Sequence, residues 1–258
     1  DGVVVLHRGK LVFERYFGAL EAHKPPIAMS VTKSFTGTLA GLMVAEGKLD
    51  PKAPATAYVP EFAGSAFGDA TVEQIMDMTT GLAYTEVYTD PKSDIFEMRK
   101  ANGMAPPAVG KPQPSLLEYL AQLPKKGDHG AVFAYKTVNS DTIGWVIRRV
   151  TGKSAGENLS DRVWRKLGME QDAYIAVDSV GTEFAGGGLN TGLRDLARFG
   201  EMMRNDGQFA GQQIIPKAVV DDIRKGGDKA AFPASYTTLP GWSYRNMWWV
   251  SHNEHGAY

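Results

Sequence analysis

The chain has 258 residues, of which 43% are hydrophobic, and its formal net charge is −1 at pH 7. This length and apolar content suffice for one large core, or for one core with an inserted lobe. Basic and acidic residues are interspersed, so we expect no nucleic-acid partner, and no apolar run approaches the roughly 18 residues of a membrane span. The absence of cysteine excludes disulfides and thiolate metal sites. Proteins without cysteine occur on both sides of a membrane, so this composition does not decide the compartment. We expect a cytoplasmic protein.

The N-terminal segment reads as a β-hairpin. Two apolar runs, at 3–6 and 11–17, are split by the turn sequence His-Arg-Gly-Lys at 7–10. Because the chain opens directly in a strand, we expect the natural protein to begin earlier.

The sequence Ser30-Val31-Thr32-Lys33 stands where a loop passes into an amphipathic helix that ends at Gly47. Residues three apart lie on one face of a helix, so the Ser30 hydroxyl and the Lys33 amine can meet within hydrogen-bonding distance. A serine hydroxyl needs a neighbouring base to become a nucleophile, and lysine can be that base if burial keeps it neutral. The alternative interpretation is a serine N-cap followed by a surface lysine.

Further helices are predicted from apolar spacing and glycine stops, and strand-like sequence follows near the end. The predicted helices cover 71–78, 115–123, 143–152 and 193–203, and the segment 241–250 reads as strand. Pro- and Gly-rich loops surround 106–114, and loops of this length commonly line a site.

This ordered set of motifs resembles the superfamily of serine β-lactamases and penicillin-binding proteins, in its class C and esterase-like branch. The nearest likeness is to the 6-aminohexanoate-dimer (nylon-oligomer) hydrolase group. The resemblance covers nearly the whole chain and implies an α+β, β-lactamase/transpeptidase-like fold, with an antiparallel sheet flanked by helices and an inserted helical lobe. We expect one catalytic domain, with its α/β part at about 1–50 and 195–258 and the helical insertion at about 51–194.

The resemblance makes Tyr135 the second catalytic candidate, with its phenolic oxygen shuttling protons beside Ser30 and Lys33. A tyrosine has a pKa of about 10, so it could act as a base near neutrality only beside a cation. The superfamily's usual second motif is Tyr-x-Asn, whereas here Thr137 occupies the asparagine place and Asn139 follows two residues later. This departure fits amide and ester hydrolases better than β-lactamases or cell-wall peptidases.

Six further residues are substrate-binding candidates, namely Tyr84, Tyr88, Asp94, Asn139, Asn190 and His255. By similarity, the loop with Tyr84, Tyr88 and Asp94 could hold an amine-bearing substrate. The glycine run at 186–188 is expected to let backbone pass close to the site, with Asn190 or Thr191 capping the next helix. The histidines are scattered without a metal-binding spacing, so we expect neither metal nor cofactor.

The sequence Gly152-Lys153-Ser154-Ala155-Gly156 matches the G-x-S-x-G nucleophile elbow of α/β-hydrolases. That elbow requires a strand before the serine, whereas the apolar spacing at 143–150 is helical. We therefore interpret Ser154 as a helix cap.

These observations predict a serine hydrolase that cleaves small linear amides or esters through an acyl-enzyme on Ser30. The alternatives are a carboxylesterase or penicillin-recognising enzyme, and a non-catalytic binding protein on the same fold. The oligomeric state is left open. In this superfamily a third motif supplies the second oxyanion donor, and only His255-Gly256 faintly resembles it. We therefore expect the natural protein to continue past Tyr258 with one or two strands, and residues 1–258 alone to be nearly inactive.

Overall fold

The computed structural model describes residues 1–107, 109–110, 112–256 and 258. The helices of this part of the chain are α1 (Val31–Ala45), α2 (Val72–Met76), α3 (Ile95–Ala101), α4 (Leu116–Leu120), α5 (Val138–Thr151), α6 (Ala155–Leu159), α7 (Leu193–Arg204) and α8 (Lys217–Lys225). Short 3₁₀ segments cover Ala55–Ala57, Pro60–Gly64 and Arg165–Leu167, and a π-helical turn covers Ser160–Trp164. Within the described residues, none of the helices has the length and apolar character needed to cross a bilayer.

The strands are short and antiparallel. They are β1 (Gly2–His7), β2 (Lys10–Tyr16), β3 (Tyr174–Ile175), β4 (Leu189–Asn190), β5 (Gln208–Phe209), β6 (Gln212–Gln213), β7 (Ser243–Arg245) and β8 (Trp248–Val250). They pair in chain order as four two-stranded ladders. Helices combined with antiparallel strands confirm the predicted α+β class. In the part of the chain that the structure describes, the ladders do not merge into the single sheet we expected, because most strands have only two or three residues.

The N-terminal hairpin forms as predicted. The two turn residues, Arg8 and Gly9, have φ angles of 52° and 75°, as a two-residue turn matched to the strand twist requires. The hairpin is held to α7 by Glu14, whose two carboxylate oxygens each accept a hydrogen bond of 2.7 Å from the Arg194 guanidinium. This contact anchors the first strands to the helical part of the protein.

Helix α1 runs through the core and contacts α5, α6, α8 and β8. Its packing against the β7–β8 turn depends on Gly37. A Cβ atom on Gly37 would lie 2.0 Å from the carbonyl oxygen of Asn246 and 2.7 Å from Cβ of Met247. The missing side chain therefore allows the helix and the turn to approach closely, and this contact fixes the helix that begins beside Ser30.

Replacing Gly37 with alanine is expected to lower the free energy of unfolding by about 1–3 kcal/mol, because the added methyl group must displace backbone atoms. Gly200 is the matched control, since it also lies in a helix but has nothing within 4 Å of the place where its Cβ would be. Gly200→Ala is expected to raise the stability by roughly 0.5–1 kcal/mol. Urea denaturation of both variants checks the prediction, and equal effects would contradict it.

Two boundaries differ from the sequence-based prediction. Helix α5 begins at Val138, five residues before the predicted start, because polar residues of its first turns are buried and interrupt the apolar spacing. The segment 241–250 is a hairpin rather than one strand, since Asn246 and Met247 adopt positive φ angles of 50° and 67° and reverse the chain.

Candidate active site

Ser30 lies at the N-terminus of α1, and its side chain does not cap the helix. It has helical φ and ψ angles of −65° and −12°, whereas the preceding Met29 has a φ of 46°. A left-handed conformation costs a non-glycine residue roughly 1–2 kcal/mol, and such strain is typical of functional sites. Ser30 is exposed, and among the described residues no backbone acceptor takes its N–H. Both its hydroxyl and its amide are therefore available to a ligand.

Lys33 lies one turn later, with only 1% of its surface exposed. Its Nζ atom donates to Ser30 Oγ at 3.0 Å and to the carbonyl oxygen of Gly186 at 2.5 Å. Burial lowers the pKa of Lys33 to about 8, while the carboxylates of Glu86 and Asp141 act in the opposite direction. A substantial fraction of the lysine is therefore neutral near physiological pH, and that form can accept the serine proton.

The glycine run at 186–188 passes directly over α1, as expected from the sequence. Besides the Lys33 contact, Thr36 Oγ1 donates to the Ala185 carbonyl at 2.8 Å, and Leu189 N–H donates to Thr32 Oγ1 at 3.1 Å. A Cβ on Gly186 would lie 2.5 Å from Cγ2 of Thr137. Only a residue without a side chain allows the backbone to come this close. The close contact places the Gly186 carbonyl oxygen against the buried Lys33 amine.

Asp141 is a site residue that sequence reasoning missed. It is 1% exposed, and its Oδ1 accepts a 2.8 Å hydrogen bond from the Gly186 N–H. Its Oδ2 is buried without a hydrogen-bond partner among the described residues. Burial raises the pKa of Asp141 to about 7, and the Lys33 charge opposes that rise. Gly186 thus bridges the two groups through its carbonyl and its N–H. An aspartate in the first turns of a helix ordinarily suits the helix dipole at the surface, which is why the sequence carries no clear signal.

Tyr135 lies beside Ser30 and Lys33 and lines the same cavity. Lys33 Nζ lies 5.1 Å from the centroid of its ring, which stacks on Trp249 at 5.5 Å and meets Tyr244 edge-on at 6.1 Å. Burial raises the pKa of Tyr135 to about 12, although a hydrogen bond with Ser30 works against the rise. The phenol is therefore protonated near neutrality even beside a cation. Lys33, rather than Tyr135, is the group suited to act as the base.

A cavity of about 470 Å³ opens beside Ser30. Its walls combine apolar side chains, two glycines and a few polar groups. The lining residues are Met29, Ser30, Lys33, Tyr88, Ile95, Met98, Arg99, Met104, Tyr135, Thr137, Phe184, Gly186 and Gly187. This volume suits a small substrate. Among the described residues, no group of histidines and carboxylates is arranged to hold a metal ion.

The loop that was predicted to contact substrate is only partly at the cavity. Tyr88 lines it, is 60% exposed, and donates to Glu86 at 2.7 Å. Tyr84 is buried in the core, and its hydroxyl has no hydrogen-bond partner among the described residues. Asp94 accepts two 2.8 Å hydrogen bonds from the backbone and side chain of Thr85, which closes the loop on itself.

The other three substrate-binding candidates lie away from the cavity lining. Asn139 is fully buried and accepts from Thr80 Oγ1 at 2.7 Å. Asn190 donates to the Gly188 carbonyl at 2.9 Å, and its backbone pairs with Ile27. His255 is exposed and lies at a different cavity, beside Trp248.

Of the helix caps predicted from the sequence, the cap of α6 forms and the cap of α7 does not. Neither Asn190 nor Thr191 caps α7, because Gly192 is the N-cap residue and lacks a side chain to bond with. Ser154, by contrast, is the N-cap of α6, where its Oγ accepts from the Glu157 N–H at 3.1 Å. The segment before Ser154 is helix α5 rather than a strand, so the nucleophile-elbow interpretation is excluded, as expected.

Two similar proteins carry the same enzyme name. A 6-aminohexanoate-dimer hydrolase of Paenarthrobacter ureafaciens is 36% identical over 259 residues, covering 99% of this chain and 65% of the relative. A solved structure from Bacillus anthracis, provisionally named 6-aminohexanoate-dimer hydrolase, is 34% identical, with a TM-score of 0.88 over 99% of this chain and 66% of the other. The chain thus spans slightly less than two thirds of each of these relatives.

More distant likenesses concern the fold. The octameric penicillin-binding protein homologue of Pyrococcus abyssi has a TM-score of 0.74 at 18% identity, covering 99% of this chain and 61% of that structure. This confirms the expected β-lactamase/transpeptidase-like fold. The family model described as Beta-lactamase matches residues 1–254. With nearly its whole length matched and its serine and lysine in contact, the chain belongs to the Beta-lactamase family.

Proposed function

We propose that the protein is a serine hydrolase that cleaves small linear amides or esters through an acyl-enzyme on Ser30. The observation that carries this proposal is the 3.0 Å contact between Ser30 Oγ and a lysine amine whose burial lowers its pKa. A buried neutral amine beside an exposed hydroxyl is the arrangement that an activated serine needs. The similarity to 6-aminohexanoate-dimer hydrolases supports an amide as the scissile bond.

In this mechanism Lys33 accepts the proton of Ser30 while Oγ attacks the carbonyl carbon. The Ser30 N–H, which no described backbone acceptor takes, donates to the developing oxyanion. The protonated phenol of Tyr135 then donates to the departing amine or alcohol and is reprotonated by Lys33. A water molecule next attacks the acyl-enzyme while neutral Lys33 accepts its proton, and Lys33 then returns a proton to Ser30 Oγ as the ester bond breaks, which releases the acid and restores Ser30.

Thr137 favours an amide or ester over a β-lactam. It stands where the superfamily's second motif has asparagine, and both of its polar groups are occupied. Its N–H and its hydroxyl donate to the two oxygens of Glu86 at 2.5 and 2.6 Å. The described residues that line the cavity thus include no side-chain amide for a substrate.

The test compares p-nitrophenyl butyrate with nitrocefin, using a Ser30→Ala chain as the background. We expect hydrolysis of the ester above that background, and a smaller or undetectable rate with nitrocefin. Faster hydrolysis of nitrocefin would favour a penicillin-recognising enzyme. No hydrolysis of either, combined with no covalent capture of a fluorophosphonate probe, would favour a non-catalytic binding protein.

The pH dependence tests the role of Lys33. The mechanism uses neutral lysine, so kcat/KM is expected to be low where Lys33 is protonated and to rise as the pH passes through about 8, the pKa of Lys33. The Asp141 carboxylate favours the charged lysine, so Asp141→Asn should lower the pKa of Lys33 and move this rise to lower pH.

The matched control is Asp178→Asn, which alters another buried aspartate whose Oδ1 accepts from the Val180 and Thr182 N–H groups. It should leave the pH profile in place. A profile that does not move in Asp141→Asn, or that moves to higher pH, would contradict the proposed base.

A further inference from the structure

Among the described residues that line the cavity, the two Lys, Arg, Asp or Glu side chains, Lys33 and Arg99, are both basic. Lys33 is engaged with Ser30 and Gly186, whereas Arg99 lines the cavity. Among the described residues, Arg99 has no ion pair and its guanidinium has no hydrogen bond. No carboxylate lines this cavity in the described part of the chain. The nearby Glu86 is already occupied by Thr137 and Tyr88.

The position of Arg99 on α3 aims it at the cavity. Ile95, Met98 and Arg99 all line the cavity, and their i, i+3, i+4 spacing places them on one helix face. The next residue, Lys100, pairs instead with Glu97 at 2.6 Å. A cation in the last turn of a helix interacts favourably with the helix dipole, and Lys100 already supplies such a cation. Arg99 is therefore a partly buried guanidinium, set among apolar side chains, and no anion of the described residues pairs with it.

A guanidinium presents a fork of donors that matches a carboxylate in two parallel hydrogen bonds. We propose that Arg99 binds a carboxylate carried by the substrate, so that the enzyme prefers amides or esters with an anionic end group. This inference rests on the proposed hydrolase function and narrows its substrate class. This anionic substrate class differs from the amine-bearing substrate expected from the acidic loop, because Asp94 bonds to Thr85 instead of lining the cavity.

Two pairs of esters test the proposal on both sides of the scissile bond. The first pair is mono-p-nitrophenyl adipate and p-nitrophenyl hexanoate, which have acyl chains of equal length and differ in the terminal carboxylate. The second pair is p-carboxyphenyl hexanoate and phenyl hexanoate, which differ in the leaving group. Each kcat/KM is divided by the spontaneous hydrolysis rate of the same ester, so that intrinsic reactivity cancels.

In at least one pair we expect the carboxylate-bearing ester to be preferred. Arg99→Gln should reduce that preference by about tenfold or more, because this is the typical effect of one charge-assisted hydrogen bond. Arg99→Glu should go further and favour p-nitrophenyl 6-aminohexanoate over the adipate ester. Lys100→Gln is the matched control on the same helix and should leave the preference unchanged.

The outcomes separate the two proposals. If the esters are hydrolysed but neither pair loses an anion preference in Arg99→Gln, the inference about Arg99 is wrong and the hydrolase function stands. The same holds if Lys100→Gln has the larger effect. If none of the esters is hydrolysed and Ser30 does not react with a fluorophosphonate, the hydrolase function fails, and the inference fails with it.

Discussion

Ser30→Ala is expected to abolish ester hydrolysis and leave only the spontaneous rate, because removing the nucleophile of a concerted catalytic unit eliminates the covalent route. The fold should survive, since the Ser30 side chain is exposed and makes no capping hydrogen bond. The loss is measured as kcat/KM with p-nitrophenyl butyrate, and the fold is monitored by urea denaturation.

Ser154→Ala is the matched control for that experiment. It removes a hydroxyl that caps α6, which costs roughly 1 kcal/mol of stability, but it should leave kcat/KM intact. If the two variants exchanged these effects, Ser154 would be the nucleophile and the family-based mechanism would be wrong.

Lys33→Arg should lower kcat/KM by about 10²-fold or more, because a guanidinium keeps its proton and cannot act as the base. Tyr135→Phe removes only the phenolic oxygen, leaves the ring stacked on Trp249, and should also reduce the rate strongly. Since both residues move the same proton, the double variant should be no worse than roughly the worse single variant.

The measurement is the double-variant cycle in kcat/KM, with urea denaturation to separate lost stability from lost chemistry. Losses that multiply would show that Tyr135 acts independently of Lys33, as a packing residue would. A further check is the pH profile of Tyr135→Phe. It should still rise near the pKa of Lys33, because the phenol is not the base in this mechanism.

The core of the site could be predicted from the sequence because it is local. Ser30 and Lys33 are three residues apart on one helix, so helix geometry alone brings them together. The hairpin turn at Arg8-Gly9 and the cap at Ser154 are local in the same sense. Tyr135 required the family resemblance, because it reaches Ser30 only through tertiary packing.

The parts that escaped prediction depend on contacts between distant segments. Asp141 matters because Gly186, 45 residues later in the chain, bonds to it. Arg99 is notable only once the structure shows that no described residue forms an ion pair with it. Asn139 and Asn190 are polar residues near functional motifs, yet their side chains bond within the protein. The proposed boundaries of the helical lobe, and the roles of these residues toward substrate, stay predictions.

Covalent labelling of residues 1–258 with a fluorophosphonate, followed by peptide mapping, determines whether Ser30 is an activated nucleophile, since labelling requires a reactive nucleophile even where turnover is slow. The mechanism predicts a single modified residue, Ser30, with a labelling rate that rises with pH as Lys33 loses its proton and that collapses in Lys33→Arg. Modification of Ser154, or labelling of Ser30 at an undiminished rate in Lys33→Arg, would contradict the account.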